Sequence, residues 1–387
     1  MYQVFPFTTP LIQFGMDTIS TLGQEAATLG AGKVLIVTGP SVAKSGALGR
    51  AQASLEAASI EYVVDIVERD TPEPATSIVE ETAEKIKSED AKVIVGIGGG
   101  SVLDVAKMSS ALTINPGKVR DYFGKGKVPK RGRPTIMIPT TAGTGAEVTK
   151  HAIFLDKENE VKKAVASNAL LPDVAIVDPM LTVSCPPSVT AAAGIDAFIH
   201  AAEPYLSKLA NPLTGAIALE SVKIIYKYLG PAYADGDDLD ARYWMSMGSM
   251  MSGLVLNNSG TSLVHALAYP IGGEFHTPHG LSLTALILSC FDYIALAKMD
   301  QFVSLAEAIG EPVEGLSKRE IVTVFIDALR EWMVDLDLPV CLGDLDIKDK
   351  DKIARWAVEG HNEQRLLSRC ARKLTVKDCE NIYSNAF

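Results

Sequence analysis

Five runs of consecutive apolar, largely β-branched residues punctuate the first half of the chain: KVLIVT at 33–38, YVVDIV at 62–67, KVIVGI at 92–97, TIMIPT at 135–140 and VAIVD at 174–178. Strands that are apolar on both sides, rather than alternating, belong to sheets covered on both faces, as parallel sheets are. Between them, segments such as 46–58 and 74–88 space their apolar residues by three and four, the mark of a helix with one buried face. Strand and helix in alternation predict crossover units and an α/β domain built on a parallel sheet. After Pro186 the β-branched runs vanish, and helical patterns occupy 188–205, 213–229, 238–256, 261–269, 281–297 and 318–334. The second half is therefore expected to be all-helical. Pro186-Pro187 can continue neither a central strand nor a helix interior, which places the division near residue 183, with domains at 1–183 and 184–387. The acidic turn Asp235–Asp238 is expected to cap the helix after it, and the glycine-rich basic stretch 115–133 reads as a solvated connection.

Composition narrows the function classes. The 387 residues, 47% apolar and 21% charged, suit a soluble globular protein of two domains, and no run reaches the roughly 18 apolar residues of a membrane span. A net charge of −11 opposes attraction to nucleic acid or anionic membranes. The first residues lack the pattern of a secretory signal. Five scattered cysteines without a CxxC pair argue for reduced thiols, and cytoplasmic residence is the expectation.

Two segments carry phosphate-binding chemistry. Strand Val93–Ile97 runs into Gly98-Gly99-Gly100, and Ser101 is expected to open a helix with Asp104 reaching back to its cap. Glycines permit close backbone approach to a pyrophosphate, and a helix's first N–H groups point at the anion. A second loop after a strand contains Thr140, Thr141, Thr144 and Thr149 among small residues. Two such loops at the carboxyl ends of strands would line the ligand crevice of an open α/β sheet.

A separate cluster suits a metal. Three of six histidines, His265, His276 and His279, fall within HALAYPIGGEFHTPHG, and Asp196 and His200 stand four apart on an otherwise apolar helix. A carboxylate there is costly to bury alone, and one carboxylate with several imidazoles matches the ligand set of divalent zinc, iron or manganese.

GGGSVLDVAK, PTTAGTGAEVT, AAGIDAFIHAAE and HALAYP followed by PHG resemble, in order and separation, the motifs of iron-containing alcohol dehydrogenases, and LTVKDCENIYSNAF is similar to that family's closing helix. The resemblance implies a dehydroquinate synthase-like architecture: a dinucleotide-binding α/β domain followed by a helical metal-binding domain. It implies metal ligation by Asp196, His200, His265 and His279, with Fe2+ or Zn2+ as the ion. It places cofactor contacts at Gly98, Gly99, Gly100, Ser101, Asp104, Thr140, Thr141, Thr144, Thr149 and Lys162, with NAD or NADP as the cofactor, and it implies at least a dimer.

Three departures from that family stand out. Tyr269 occupies a position where many members have a second histidine, and His276 is expected to take over as a proton carrier. Gly39 stands where NAD-preferring members have an acid, so tolerance of NADP is expected. SRCARKLT replaces an Asn-Pro-Arg-like segment. The function expected is hydride transfer between NAD(P)(H) and a small alcohol or aldehyde. A hydroxyacid-oxoacid transhydrogenase is the alternative, and a dehydroquinate synthase-like lyase a more distant one.

Overall fold

The computed structural model describes residues 5–68, 74–156 and 161–387, and its contacts divide the chain into two compact units. The first, Thr8–Cys185, contains in order β1 (Leu11–Phe14), α1 (Leu22–Thr28), β2 (Lys33–Thr38), α2 (Pro40–Lys44), α3 (Ala47–Ala57), β3 (Glu61–Ile66), α4 (Thr76–Ser88), β4 (Val93–Gly98), α5 (Gly100–Leu112), β5 (Gly124–Lys125), β6 (Thr135–Pro139), β7 (His151–Asp156), β8 (Val161–Ala166) and β9 (Val174–Val177). Six strands form one parallel sheet in the order β1-β9-β6-β4-β2-β3.

The unbroken apolar runs have a direct cause. Leu35 and Val37 of β2 and Ile94 of β4 turn to one face, where Val79, Ala83 and Ile86 of α4 and Leu103 and Ala106 of α5 cover them. Val34 and Ile36 of β2 with Val93, Val95 and Ile97 of β4 turn to the other face, under Leu22 and Ala26 of α1 and Ala51 and Leu55 of α3. Both faces are dry, so alternation is absent. β2 has β3 on one side and β4 on the other, which makes the carboxyl ends of β2 and β4 the switch point where open sheets bind ligands.

Two parts of this unit differ from the expectation. β1 is a four-residue edge strand, and β5-β8-β7 forms a small second sheet, with β7 and β8 antiparallel. The stretch 115–133, read as a plain connection, thus contributes Gly124–Lys125 to that sheet. β1 and β5 are too short for their apolar residues to stand out, and β8 carries two lysines among its six residues.

The second unit comprises Pro186–Phe387 with the described residues ahead of Thr8. Its helices are α6 (Pro187–Tyr205), α7 (Pro212–Ala234), α8 (Leu239–Ser259), α9 (Leu263–Phe275), α10 (His279–Ala295), α11 (Met299–Ile309), α12 (Lys318–Asp335), α13 (Ile353–His361), α14 (Gln364–Leu367) and α15 (Val376–Asn385). No described helix is long and apolar enough to cross a membrane. Asp238 caps α8, its carboxylate accepting from the Ala241 N–H at 3.0 Å. α9 runs past the proline expected to end it: Pro270 removes one donor, and in the affected turn the buried Tyr383 hydroxyl donates to the Leu267 carbonyl at 2.6 Å.

α6 is the centre of this unit, and small residues let its neighbours approach. A Cβ on Gly194 would lie 2.3 Å from Leu229 Cδ1 of α7, and one on Gly280 of α10 would lie 2.2 Å from the Ala192 carbonyl oxygen. The second contact is with backbone, which cannot step aside. Gly280→Ala is therefore expected to destabilise the protein by about 1–3 kcal/mol through overpacking. Urea unfolding should show a lowered midpoint with an unchanged slope; a wild-type midpoint would mean that α6 and α10 separate at little cost.

Candidate functional site

α6 presents Asp196, His200 and Glu203 at intervals of four and three residues, which stacks them on one face. α9 adds His265 in its first turn, and α10 begins at His279. Asp196 Oδ1 lies 3.4 Å from His200 Nε2, 3.7 Å from His265 Nε2 and 3.9 Å from His279 Nε2, and the first two nitrogens are 3.1 Å apart. Ligand atoms held about 2.0–2.2 Å from a tetrahedral ion sit roughly 3.3–3.6 Å from one another. The ligand atoms of Asp196, His265 and His279 all lie within 4.8 Å of one another, and His200 Nε2 adjoins those of Asp196 and His265. Asp196 Oδ1 is buried without a hydrogen-bond partner, a condition that a polar oxygen in an apolar helix sustains only if something else satisfies it. The donor set and this oxygen fit a divalent cation.

Electrostatics point the same way. Burial alone would raise the Asp196 carboxyl, but the surrounding imidazoles outweigh it and hold the group well below the usual carboxylate range. For His265, burial opposes protonation, yet the two carboxylates beside it, Asp196 and Glu203, lift it to about 9. The two carboxylates thus favour positive charge among the imidazoles.

Glu203 did not stand out in the sequence, although its place seven residues after Asp196 on the same helix was a usable signal. Fully buried, it accepts from His265 Nδ1 at 2.8 Å and from the Val264 N–H at 2.5 Å. One carboxylate thus caps α9 and fixes the ring so that Nε2 faces Asp196. Tyr269, one turn beyond His265, stands with its ring 6.4 Å from that of His279. His276 is exposed in a left-handed conformation after α9, with φ of 51°.

In the α/β unit the glycine turn follows β4. A Cβ on Gly98 would lie 2.8 Å from Val102 Cβ, and one on Gly100 would lie 2.7 Å from Thr144 Oγ1, so the two loops close on each other where no side chain fits. Thr141 packs beside Gly99, and the Thr140 N–H donates to the Gly98 carbonyl at 3.0 Å. Thr149 is buried, and Lys162 is half-buried on β8 opposite Leu155. Gly39 sits in extended backbone at the start of α2, and a Cβ there would make an ordinary 3.7 Å contact with Val102. α5 starts at Gly100, one residue earlier than expected, and no side chain caps it. Asp104 does not reach back to the cap: it accepts from the Ile153 N–H and from Lys107 Nζ, both at 2.9 Å. Lys107, also unforeseen, is buried and donates to the Ala146 and His151 carbonyls, tying α5 to the threonine loop.

An α/β unit with a glycine turn at its switch point, followed by a helical unit enclosing one carboxylate and three imidazoles, defines a nicotinamide-linked oxidoreductase. The chain belongs to the iron-containing alcohol dehydrogenase family: residues 9–179 match the family model described as iron-containing alcohol dehydrogenase, and residues 190–387 match its C-terminal counterpart. It is 37% identical over 391 residues to long-chain-alcohol dehydrogenase 1 of Geobacillus thermodenitrificans, covering 99% of this chain and 96% of the relative. The crystal structure of a 1,3-propanediol oxidoreductase superposes with a TM-score of 0.95 at 32% identity over the whole of both chains. That of sulfoacetaldehyde reductase from Bifidobacterium kashiwanohense, in complex with NAD+, superposes with a TM-score of 0.88 at 28% identity, covering 100% of this chain and 99% of that one. The protein is an enzyme acting on alcohols or aldehydes with a nicotinamide cofactor.

The threonine loop also generates a pH dependence. Burial raises the carboxyl of Glu147 to about 7 against the smaller pulls of its own backbone and of Lys107. The folded state then keeps a proton that the unfolded chain releases near its ordinary value of 4.5, so stability falls as pH rises from about 4.5 to 7 and is level above. Glu147→Gln should flatten that slope and raise stability at pH 8 by on the order of 2–3 kcal/mol. Parallel slopes for the two proteins in unfolding titrations would contradict this.

Proposed function

We propose that the enzyme interconverts small alcohols and aldehydes with a divalent ion, iron or zinc, held by Asp196, His200, His265 and His279. The observation that carries this reading is the convergence of three imidazole nitrogens on a buried carboxylate oxygen that has no hydrogen-bond partner. When bound, such an ion and the nicotinamide supply Lewis-acid polarisation of the substrate oxygen and hydride exchange. The chain supplies the rest. Glu203 orients His265 and gives up no oxygen to substrate, since both are engaged. Gly98, Gly99, Gly100 and Ser101 cradle the cofactor's phosphates at the uncapped start of α5, with Thr140, Thr141, Thr144, Thr149 and Lys162 along the second loop and β8. Asp104 and Lys107 hold those two loops together. His276 exchanges the proton with solvent, and an unchanged pH profile in His276→Gln would remove it from this scheme.

Gly39 supports acceptance of NADP, because no carboxylate there repels a 2′-phosphate. Its extended backbone and open Cβ position accommodate an acid, so Gly39→Asp should fold and shift the NADPH-to-NADH ratio of kcat/KM toward NADH by tenfold or more, on the order of one charge repulsion. No shift would place the ribose elsewhere. The reading extends to cytoplasmic residence, which five free thiols suit, and to a homo-oligomer, for which the edge strand β1 with its exposed Leu11 offers a surface. Light scattering on the eluting protein decides the latter.

The direct test is elemental analysis of anaerobically purified protein and of Asp196→Ala, each paired with aldehyde-dependent oxidation of NADH and NADPH. About one ion per chain, lost with activity in the variant, is expected from one four-ligand site. An active wild-type enzyme free of metal would overturn the proposal.

A further inference from the structure

Three of the four proposed ligands are held by enclosure. The side chains of Asp196, His200 and His265 are 6, 8 and 4% exposed, whereas that of His279 is 32% exposed. The aim of His279 therefore depends more on its backbone than that of the others does. A turn of three residues, His276 to Pro278, separates the end of α9 at Phe275 from the start of α10 at His279. His276 takes φ of 51°, a left-handed conformation disfavoured for a residue with a side chain. Among the described residues, no side chain hydrogen-bonds to this turn. Its geometry is set by what holds its two ends.

At the α10 end, Gly280 rests on the Ala192 carbonyl of α6. At the α9 end the hold falls to Glu274, the residue before Phe275. Trp356 Nε1 of α13 donates to Glu274 Oε2 at 2.6 Å, Arg355 donates to the same oxygen, and Lys352 Nζ, just ahead of α13, reaches Oε1 at 3.0 Å. Lys352 is also paired with Asp349 at 2.8 Å and stands 5.5 Å over the Phe275 ring. Burial alone would raise the Glu274 carboxyl, but Trp356, Lys352 and Arg355 outweigh it and hold the group at about 2. A carboxylate in the last turn of a helix opposes the helix dipole, so Glu274 does not serve α9 by itself, and its partners on α13 account for its place. α13 is a firm anchor. The buried Trp356 ring meets Phe275 edge-on with centroids 5.8 Å apart and lies 5.9 Å from Tyr383 of α15. A Cβ on Gly360 would come within 2.7 Å of Leu267 Cδ2, so α13 lies tight along α9.

Resting on the metal reading above, we propose that Glu274 is a positioning residue for the reaction: clamped by Lys352, Arg355 and Trp356, it fixes the exit of α9 so that the short turn delivers His279 to the ion beside Asp196. It touches neither ion nor substrate. Glu203 grips the ring of one ligand, and Glu274 grips the helix end from which another is delivered.

The test measures the Zn2+ affinity of metal-free protein by competition with a chromophoric chelator, which requires no turnover. Glu274→Ala should weaken Zn2+ binding by roughly 10- to 100-fold, as loss of a group that orients a ligand does, and Glu274→Gln, which still accepts from the indole, should lose less. With Co2+ in place of zinc, the visible absorption of Glu274→Ala should shift as His279 moves. In a His279→Ala background the loss from Glu274→Ala should disappear, because a residue acting through His279 has nothing left to position. A purely structural contact would lower the unfolding midpoint and leave these readouts unmoved. Wild-type Zn2+ affinity and Co2+ spectrum in Glu274→Ala, or a loss that adds in full to that of His279→Ala, overturns the role of Glu274 and leaves the metal site standing. Should Glu274→Ala not fold, Glu274→Gln decides, and an unchanged affinity and spectrum there overturn the proposal. Zn2+ binding that survives undiminished in Asp196→Ala overturns the metal reading itself, and the role of Glu274 with it.

Discussion

One buried oxygen organises the helical unit. Asp196 lies in a helix whose neighbours are alanine, isoleucine and phenylalanine, and its Oδ1 has no hydrogen-bond donor. A carboxylate in such a place is tolerated only with a cation beside it, because the cost of desolvating the charge exceeds what neutral dipoles return. The imidazoles answer that demand by their placement. Asp196 and Glu203 push His265 toward its protonated form in spite of burial.

Bringing the ligands together constrains the backbone as well as the side chains. His279 can approach Asp196 only because the residue after it is glycine, leaving α10 free to touch the α6 backbone at Ala192. His265 can aim Nε2 at Asp196 only because Glu203 grips its other nitrogen, and the same carboxylate satisfies a first-turn N–H of α9. α6 therefore provides two of the proposed ligands, the group that orients a third and the seat for the fourth. A change at any of these residues is felt at all of them.

Much of this was legible in the chain. The parallel sheet announced itself through apolar runs that never alternate, since helices cover both of its faces, and Asp196 and His200 were legible because a four-residue spacing puts two polar groups on one side of an apolar helix. What escaped depended on contacts remote in sequence. Lys107 reads as an ordinary helix lysine until the carbonyls of 146 and 151 surround it. Asp104 looked like a capping residue because it lies three positions from the helix start, but a buried lysine one turn further on is the stronger partner. The extension of α9 through Pro270 to Phe275 was hidden because a proline reads as the end of a helix.

The groups that would hold the ion and the arginines of the short α14 segment come from different parts of the chain. Asp196, His200, Glu203, His265 and His279 are locked by mutual contacts on α6, α9 and α10, and little can change there without exposing an unpaired charge. Arg365 and Arg369 belong to the short α14 and the turn beyond it, and Arg369 donates to the Thr261 carbonyl just ahead of α9. Coupling between such sets is weak, since substitutions that share no contacts add independently.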